Sequence, residues 1–398
     1  MHGALSAFLL LTAAACSADR SRHTSVTRTA IGDTTVVQTT GPGRWGDSVT
    51  LVPELRIGMR DGPSLYGFGR IEQVAVGPDG GIYVFDASVP ILRRYDSAGR
   101  FIGTLGRGGA GPGEYRDASG LGVTRAGTVL LYDVGNARID RYGPTGEPLS
   151  AWPVGAQYYT GQAFVLDKAG GVYVRVLLSD PRPDEEWEAG YVHIDSGGVM
   201  RDTIAAPPHR RVSKRGWMQF DPSYEWTVDP FGRTAGGFNA AYPFEVRGDG
   251  KVTRVGRDAA HVRFEPEERS QLTALFNYRR PGVSAPPPTT TVPEYKVAWE
   301  TISPMPDGRF WVRVSVPSVH LAPDDVFHDA RDPARPPLSW RLPSAYDVFE
   351  GDGSFLGQVA FPGRAVVAHA DGERVWVVAP GPDDEPVVVR YRVGPSHR

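Results

Sequence analysis

The sequence predicts an all-β protein, a six-bladed β-propeller of four-stranded antiparallel blades, and three observations lead to this prediction. The 398 residues include 48 Gly and 35 Pro, spread along the whole chain, which is typical of many tight turns between short strands. One strand–turn–strand pattern occurs six times. A second hairpin follows each of the first five copies, and two hairpins supply the four strands of one blade.

The repeated pattern is clearest at residues 74–86, where apolar residues alternate on both sides of a Pro-Asp-Gly-Gly turn. Such alternation around a turn indicates two antiparallel strands. The other copies lie at residues 121–133, 164–176, 226–238, 302–314 and 366–379. Because these turns need a positive φ, we expect one at each turn glycine: Gly80, Gly127, Gly170, Gly232, Gly308 and Gly372.

The sixth unit predicts how the ring closes. After its hairpin only one more strand follows, at residues 387–393, so a fourth strand is missing. Residues 48–58 form a strand pattern before blade one and have no partner within it. We therefore predict that they complete the last blade as its outermost strand, which would cover both open sheet edges. Pro53 is compatible with an edge strand that donates no outer hydrogen bond.

An insertion separates blades four and five at residues 256–299. Pro and acidic residues at 265–268 precede an apolar stripe of Leu272, Leu275 and Phe276, which predicts a helix of about four turns. The Pro/Thr run at 286–293 predicts an extended linker back to blade five. The insertion is either a brace packed on one face of the ring or an element that docks a partner.

The N-terminal sequence predicts export. The apolar run at residues 4–15 is too short to span a bilayer and ends directly before Cys16, the only cysteine. Residues 1–16 resemble a bacterial lipoprotein signal peptide with its lipobox, which implies that Cys16 carries the lipid. A plain secretory signal peptide cut nearby is the alternative. Residues 17–47 are polar and predict a flexible tether, and 48–398 form the propeller.

The lipoprotein interpretation places the protein in the bacterial cell envelope, anchored to a membrane and with the propeller outside the cytoplasm. A net charge of −3 provides no positive field to attract nucleic acid. A single cysteine excludes an internal disulfide and a Cys-based zinc cluster. The protein is expected to be a monomer.

Two segments in blades one and two carry a family resemblance. Residues 135–142 (GNARIDRY) and 105–115 (LGRGGAGPGEY) resemble the NHL-repeat family, with its Asn-x-Arg-Ile strand and Gly-Pro-Gly-Glu-aromatic loop. Residues 346–353 are similar to bacterial six-bladed propeller lipoproteins that carry NHL-like blades. The resemblance covers about residues 49–393 and implies the fold, but not a reaction.

Candidate functional residues are few. Asp86 and Asp133 each follow an inner strand pair and are the acids available to a channel metal; the alternative is that they cap turns or form salt bridges, for instance Asp133 with Arg138. The glycine-rich loop 107–116 could bind an anion through its N–H groups, or could simply let blades approach. The candidate ligand-binding residues are Asp86, Arg107, Glu114, Arg116, Asp133, Asn136 and Arg138.

Aromatic residues in blades three and four either stack on a sugar or peptide or pack in the core: Tyr158, Tyr159, Trp187, Trp217, Tyr224 and Trp226. No Gly-x-Ser-x-Gly elbow or phosphate loop is present. We therefore expect a non-catalytic module without a cofactor, which binds a cell-envelope protein, peptide or glycan. The alternative is a lactonase-like hydrolase or lyase that uses a channel-bound Ca²⁺ or Zn²⁺.

Overall fold

The computed structural model describes residues 23–46, 49–154, 163–178, 188–208, 220–279 and 291–395. They form a six-bladed β-propeller, as predicted, in which every blade is built on four antiparallel strands and blade four carries two further strands. Each of six hydrophobic clusters lies between two neighbouring blades, so the hydrophobic core consists of six parts arranged around the ring.

The strands preceding and forming the first two blades are β1 (Ser25–Ile31), β2 (Thr34–Thr40), β3 (Val49–Ile57), β4 (Ile71–Val76), β5 (Ile82–Asp86), β6 (Ile91–Tyr95), β7 (Phe101–Leu105), β8 (Arg107–Gly108), β9 (Glu114–Tyr115), β10 (Ala118–Val123), β11 (Val129–Asp133), β12 (Arg138–Tyr142) and β13 (Pro148–Pro153). Blades one and two are β4–β7 and β10–β13, and the short strands β8 and β9 pair between them.

Blades three and four consist of β14 (Val165–Leu166), β15 (Val172–Leu177), β16 (Ala189–Ile194), β17 (Met200–Ala205), β18 (Tyr224–Val228), β19 (Thr234–Phe238), β20 (Phe244–Gly248) and β21 (Lys251–Arg257). The helix α1 follows at Pro266–Asn277. The remaining strands are β22 (Trp299–Pro304), β23 (Phe310–Val314), β24 (Val319–His320), β25 (Trp340–Arg341), β26 (Ala345–Phe349), β27 (Phe355–Ala360), β28 (Val366–Asp371), β29 (Arg374–Pro380) and β30 (Pro386–Pro395).

The predicted ring closure is confirmed. Blade six has the strand order β28-β29-β30-β3, and β3 pairs antiparallel with β30. Glu54 of β3 also forms ion pairs with arginines on β29 and β30, 3.3 Å from Arg374 and 3.3 Å from Arg390. The predicted turn geometry is confirmed as well, because all six first-hairpin glycines have φ between +59° and +90°.

The expectation that residues 17–47 form a flexible tether is wrong for residues 25–40. They form the hairpin β1–β2, and β2 pairs in parallel with β21, which extends blade four to six strands. Val37 and Thr39 are buried there. The physical reason is that β21 would otherwise present an open sheet edge, which the β-branched segment Thr34–Thr40 covers.

The described part of the insertion contacts the connection that leaves β23 of blade five. Helix α1 begins with a capping box between Glu265 and Glu268, and the carboxylate of Glu268 lies 3.2 Å from the buried amine of Lys296. The Ser318 hydroxyl, on the connection that leaves β23, donates to the same carboxylate. These contacts fasten α1 to blade five. Residues 280–290, including part of the expected Pro-rich linker, lie outside the described residues.

Candidate functional site

A central cavity of about 780 Å³ lies inside the ring. The innermost strands of all six blades line it: β4, β10, β14, β18, β22 and β28. Its mouth lies at the end where the first hairpins turn, since Pro78, Arg125, Lys168, Pro230 and Pro306 of those turns are part of the lining. This volume is typical of a small-molecule binding site.

The wall of the cavity combines aromatic and hydrogen-bonding side chains. Trp226 of β18 is mostly buried and meets Tyr191 edge-on, with 5.1 Å between ring centroids. The guanidinium of Arg175 lies 6.0 Å from the Trp226 ring centroid. Glu225 accepts a hydrogen bond of 2.7 Å from the Ser223 hydroxyl. The wall can therefore contact both an apolar ring and polar groups of a ligand.

Blade six contributes His369 to the cavity. Burial lowers the pKa of His369 from 6.5 to about 4, and the nearby Asp371 only partly offsets this. The imidazole is thus neutral at pH 7, where one ring nitrogen can donate a hydrogen bond and the other can accept one. Its ring meets Trp376 edge-on, with 5.2 Å between centroids.

The metal-dependent alternative would need ligands for Ca²⁺ or Zn²⁺ in the channel. In the described ranges, no three His, Cys, Asp or Glu side chains come close enough together to hold a metal ion. Asp167, an acid in the cavity wall, is bound to His193 Nε2 at 2.7 Å. In these ranges a channel metal would therefore need ligands other than a cluster of acids and histidines.

Asp86 and Asp133 lie away from the cavity and anchor backbone. Asp86 is fully buried and accepts hydrogen bonds from the N–H groups of Gly69 and Arg70 at 3.1 and 3.0 Å. Burial alone would raise the pKa of Asp86, but the hydrogen bonds from Ser88 and the backbone hold it below its usual value. Asp133 likewise accepts the N–H of Arg116 at 3.2 Å. Each carboxylate fastens the segment that enters its blade.

The loop 107–116 satisfies its own polar groups. The Glu114 carboxylate accepts hydrogen bonds of 2.8 Å from both the Gly111 N–H and Arg107 Nε. Arg138 donates to carbonyls of the loop, including Glu114 O at 2.6 Å, and Asn136 donates to Gly109 O at 2.9 Å. The Glu114 carboxylate of the loop thus takes the hydrogen-bond donors that an external anion would need.

This loop also lies at the wrong end of the channel for the cavity. It precedes the start of β10, whereas the cavity mouth lies at the other end of that strand, near Thr124 and Arg125. None of the seven candidate residues from the sequence is part of the described cavity lining. Their geometry favours a structural role.

Among the aromatic candidates, the structure brings only Trp226 into the described cavity wall. Tyr224 is half-buried at the start of the same strand. Tyr158, Tyr159, Trp187 and Trp217 lie outside the described residues, as does Cys16. Sequence reasoning missed the cations Arg125 and Lys168, which occupy the turn position that Pro78 holds in blade one. Alignment of the six turns with one another could have found them.

No helix in the described ranges is both long and apolar enough to cross a bilayer. No protein-family model matches the chain, and no curated protein does.

The fold of this chain resembles those of several solved structures. A member of the DUF4221 family from Bacteroides vulgatus is 13% identical, with 87% of this chain and 99% of that chain covered and a TM-score of 0.53. A virginiamycin B lyase from Staphylococcus aureus is 12% identical, over 87% and 99% of the two chains, with a TM-score of 0.41. A gluconolactonase from Xanthomonas campestris is 11% identical, over 86% and 97%, with a TM-score of 0.40. At these identities the likeness concerns the fold alone, a six-bladed propeller.

Proposed function

We propose that this chain is a lipid-anchored propeller of the bacterial cell envelope that binds a peptide or glycan at its channel mouth and leaves it chemically unchanged. The observation that carries the proposal is the composition of the cavity wall. All six blades contribute to a cavity of ligand size, and its wall offers rings and hydrogen-bonding groups. The described acids and histidines form no metal-binding cluster.

The wall chemistry suits a ligand with alternating polar and apolar surface. Thr227, Thr301 and Ser303, which carry hydroxyl groups, line the cavity together with Trp226. Sugars and peptides both present hydroxyl or amide groups next to C–H faces, which such a wall can bind. Hydrogen bonding across several blades would fix the orientation of the ligand.

The relationship to NHL-like propeller lipoproteins is part of this proposal. It is supported by the loop 107–116, whose Gly-Pro-Gly-Glu-aromatic sequence closes on itself through Glu114 and is fastened by Asn136 and Arg138. The residues that carry the resemblance are therefore joined to one another by hydrogen bonds.

Lipid anchoring at Cys16 would hold the propeller close to the membrane. Strand β1 begins at Ser25, so the segment between the lipid and blade four can reach at most about 30 Å. The expected tether of residues 17–47 would have allowed a much larger distance. Blade four is then the blade nearest the membrane surface.

Metal analysis of the purified mature chain separates this function from a metal-dependent hydrolase or lyase. After dialysis against a chelator-free buffer, we expect less than stoichiometric Ca²⁺ and Zn²⁺ by mass spectrometry. Retention of one metal ion per chain, lost on substitution of the cavity residue His369→Ala but not of Asp86→Asn, would overturn the binding proposal in favour of the enzyme.

A further inference from the structure

Blades one and two each carry an arginine at the same position of the third strand. In blade one, Tyr83 of β5 is the register partner of Arg94 in β6. In blade two, Leu130 of β11 is the register partner of Arg141 in β12. Each arginine directly precedes a buried tyrosine. Arg94 and Arg141 therefore occupy the same position in their blades.

Arg94 has a carboxylate partner that the turn of blade two lacks. Its Nη2 lies 3.2 Å from Oδ2 of Asp79, the residue before the turn glycine. The corresponding residue of blade two is Ala126, directly before the turn glycine at 127. The residue before that also changes, from Pro78 to Arg125. Blade two has thus lost one negative charge and gained one positive charge at this turn.

Arg141 is left without an ion pair to any acid that the structure describes. Its guanidinium lies over the ring of Trp152, 4.6 Å from the centroid, and Nη1 donates to Ser150 O at 3.2 Å. Its Nε is buried and has no hydrogen-bond partner among the described residues. Burial also lowers the pKa of Arg141. A partly buried guanidinium without an acidic partner is costly, and an anionic ligand at its accessible nitrogens would offset that cost.

Arg141 lies in a pocket of about 260 Å³ between blades two and three. Blade three contributes Lys168 to the lining, and the amine of this residue lies over the Phe231 ring in the turn of blade four, 4.0 Å from the centroid. No acidic residue is part of the described lining, which consists of Thr124, Arg125, Ala126, Thr128, Leu130, Arg141, Trp152, Lys168, Ala169, Gly170 and Ser196. Three cationic residues and three residues with hydroxyl groups therefore line the pocket, and its described lining contains no acid.

The acids nearest in sequence are used elsewhere. Asp167 accepts hydrogen bonds from His193 and from the N–H groups of Ala169 and Gly171, each at 2.7 Å. Asp195 is bound to Arg201 at 2.5 Å. Both carboxylates are held by these partners, so the positive charge of the pocket is not neutralised within the described chain.

We propose that this pocket binds an oxyanion, the carboxylate or phosphate group of a ligand. Arginine suits both groups because its planar donors match their oxygens, and the three hydroxyls can donate further hydrogen bonds. Thr124, Arg125 and Lys168 line both this pocket and the channel mouth. A ligand whose anionic group is bound here could extend into the channel, and this extension rests on the proposed function. The anion site itself is independent of the proposed function.

The test restores the carboxylate that blade one has. Ala126→Asp places an acid beside Arg141, as Asp79 stands beside Arg94, and is expected to fill the site. The matched control is Ala98→Asp, which adds the same charge to an exposed turn of blade one. Isothermal titration calorimetry of the mature chain with inorganic phosphate, and separately with acetate, identifies which oxyanion the pocket prefers.

We expect the wild type and Ala98→Asp to bind at least one of the two anions with equal affinity, and Ala126→Asp to bind it at least about tenfold more weakly. Arg125→Gln should weaken binding in the same direction and serves if Ala126→Asp does not fold. Absence of binding of both anions to the wild type, or equal binding by Ala126→Asp and Ala98→Asp, would overturn the proposal. Because the probes are simple anions, this result is independent of whether a peptide or glycan binds the channel.

Discussion

Ile57 and Val388 are backbone partners across the seam that closes the ring, and both side chains are almost fully buried. Ile57 comes from the strand that precedes blade one, and Val388 from the last strand of blade six. Both belong to the cluster that packs blade six against blade one. The stability of the whole ring therefore depends on contacts between the two ends of the propeller sequence.

Truncation of Ile57 tests this seam. Ile57→Ala removes buried apolar volume and is expected to lower the free energy of unfolding by about 2–5 kcal/mol. Val52→Ala, at a more exposed position of the same strand, should change it by less than about 0.5 kcal/mol. Chemical denaturation of both variants measures the difference. Equal midpoints would show that β3 does not close the ring in solution.

Removal of the N-terminal hairpin should also destabilise the protein. A mature chain that begins at Gly41 lacks β1 and β2, and so loses the burial of Val37 and exposes the edge of β21. We expect a loss of at least about 2 kcal/mol in the free energy of unfolding. A chain that begins at His23 keeps the hairpin and is the control. Identical thermal midpoints for the two chains would contradict the pairing of β2 with β21.

The buried carboxyl of Asp140 predicts an unusual pH dependence. Burial raises the pKa of Asp140 from 3.8 to about 6, although Arg138 lies 2.7 Å away and opposes this shift. The folded state therefore holds a proton that the unfolded state releases. This contribution to stability is complete below about pH 4 and is lost as the pH rises through about 6.

Asp140→Asn should remove that loss. Between pH 4 and 7, the stability of the variant relative to the wild type should rise, by no more than about 3 kcal/mol in total. His369 contributes a pH dependence of the opposite sign, because the pKa of this residue is lowered. This contribution is the same in both proteins, so it cancels in the difference between their free energies of unfolding. Urea denaturation at a series of pH values measures it. A flat difference would show that Asp140 is ionised in the folded protein throughout this range.

The proposed lipid anchoring would depend on the thiol of Cys16, the only cysteine of the sequence. Cys16→Ser should yield a protein that no longer incorporates labelled fatty acid and that leaves the membrane fraction. Cell fractionation and metabolic labelling check both expectations, with the wild type as the reference. Unchanged labelling of the variant would contradict the lipoprotein assignment.

The fold could be predicted because its signals are local and repeated. The turn glycines recur with the strand alternation around them, and counting strands showed that blade six needed β3. The hairpin β1–β2 was missed because the composition of residues 17–47 is polar, although Thr34–Thr40 is rich in β-branched residues. Its partner, β21, lies more than two hundred residues away, and such pairing is not visible in a local pattern.

The site was harder to predict because it depends on which end of each strand a residue occupies. Asp86 and Asp133 stood out as acids after buried strands, yet their partners, such as the N–H of Gly69, lie in the preceding connection. The cations of the cavity mouth stand in turns that looked like ordinary hairpin turns. Only the ring arrangement brings Arg125 and Lys168 from different blades to one pocket.

Ligand binding inside the channel is tested most directly by blocking the channel. Thr301 is exposed on β22 and lines the cavity, so Thr301→Trp would fill part of the channel with an indole. Thr203→Trp adds the same side chain to the outer strand β17 and is the matched control. The probes are an array of envelope glycans and a peptide library, presented to the wild type and to both variants.

The decisive measurement is the affinity for any glycan or peptide that the wild type binds, together with recovery of that ligand after incubation. We expect equal affinity for the wild type and Thr203→Trp, a loss of at least about tenfold for Thr301→Trp, and an unchanged mass of the recovered ligand. Equal binding by Thr301→Trp, or recovery of a cleaved or rearranged product, would contradict non-catalytic binding in the channel.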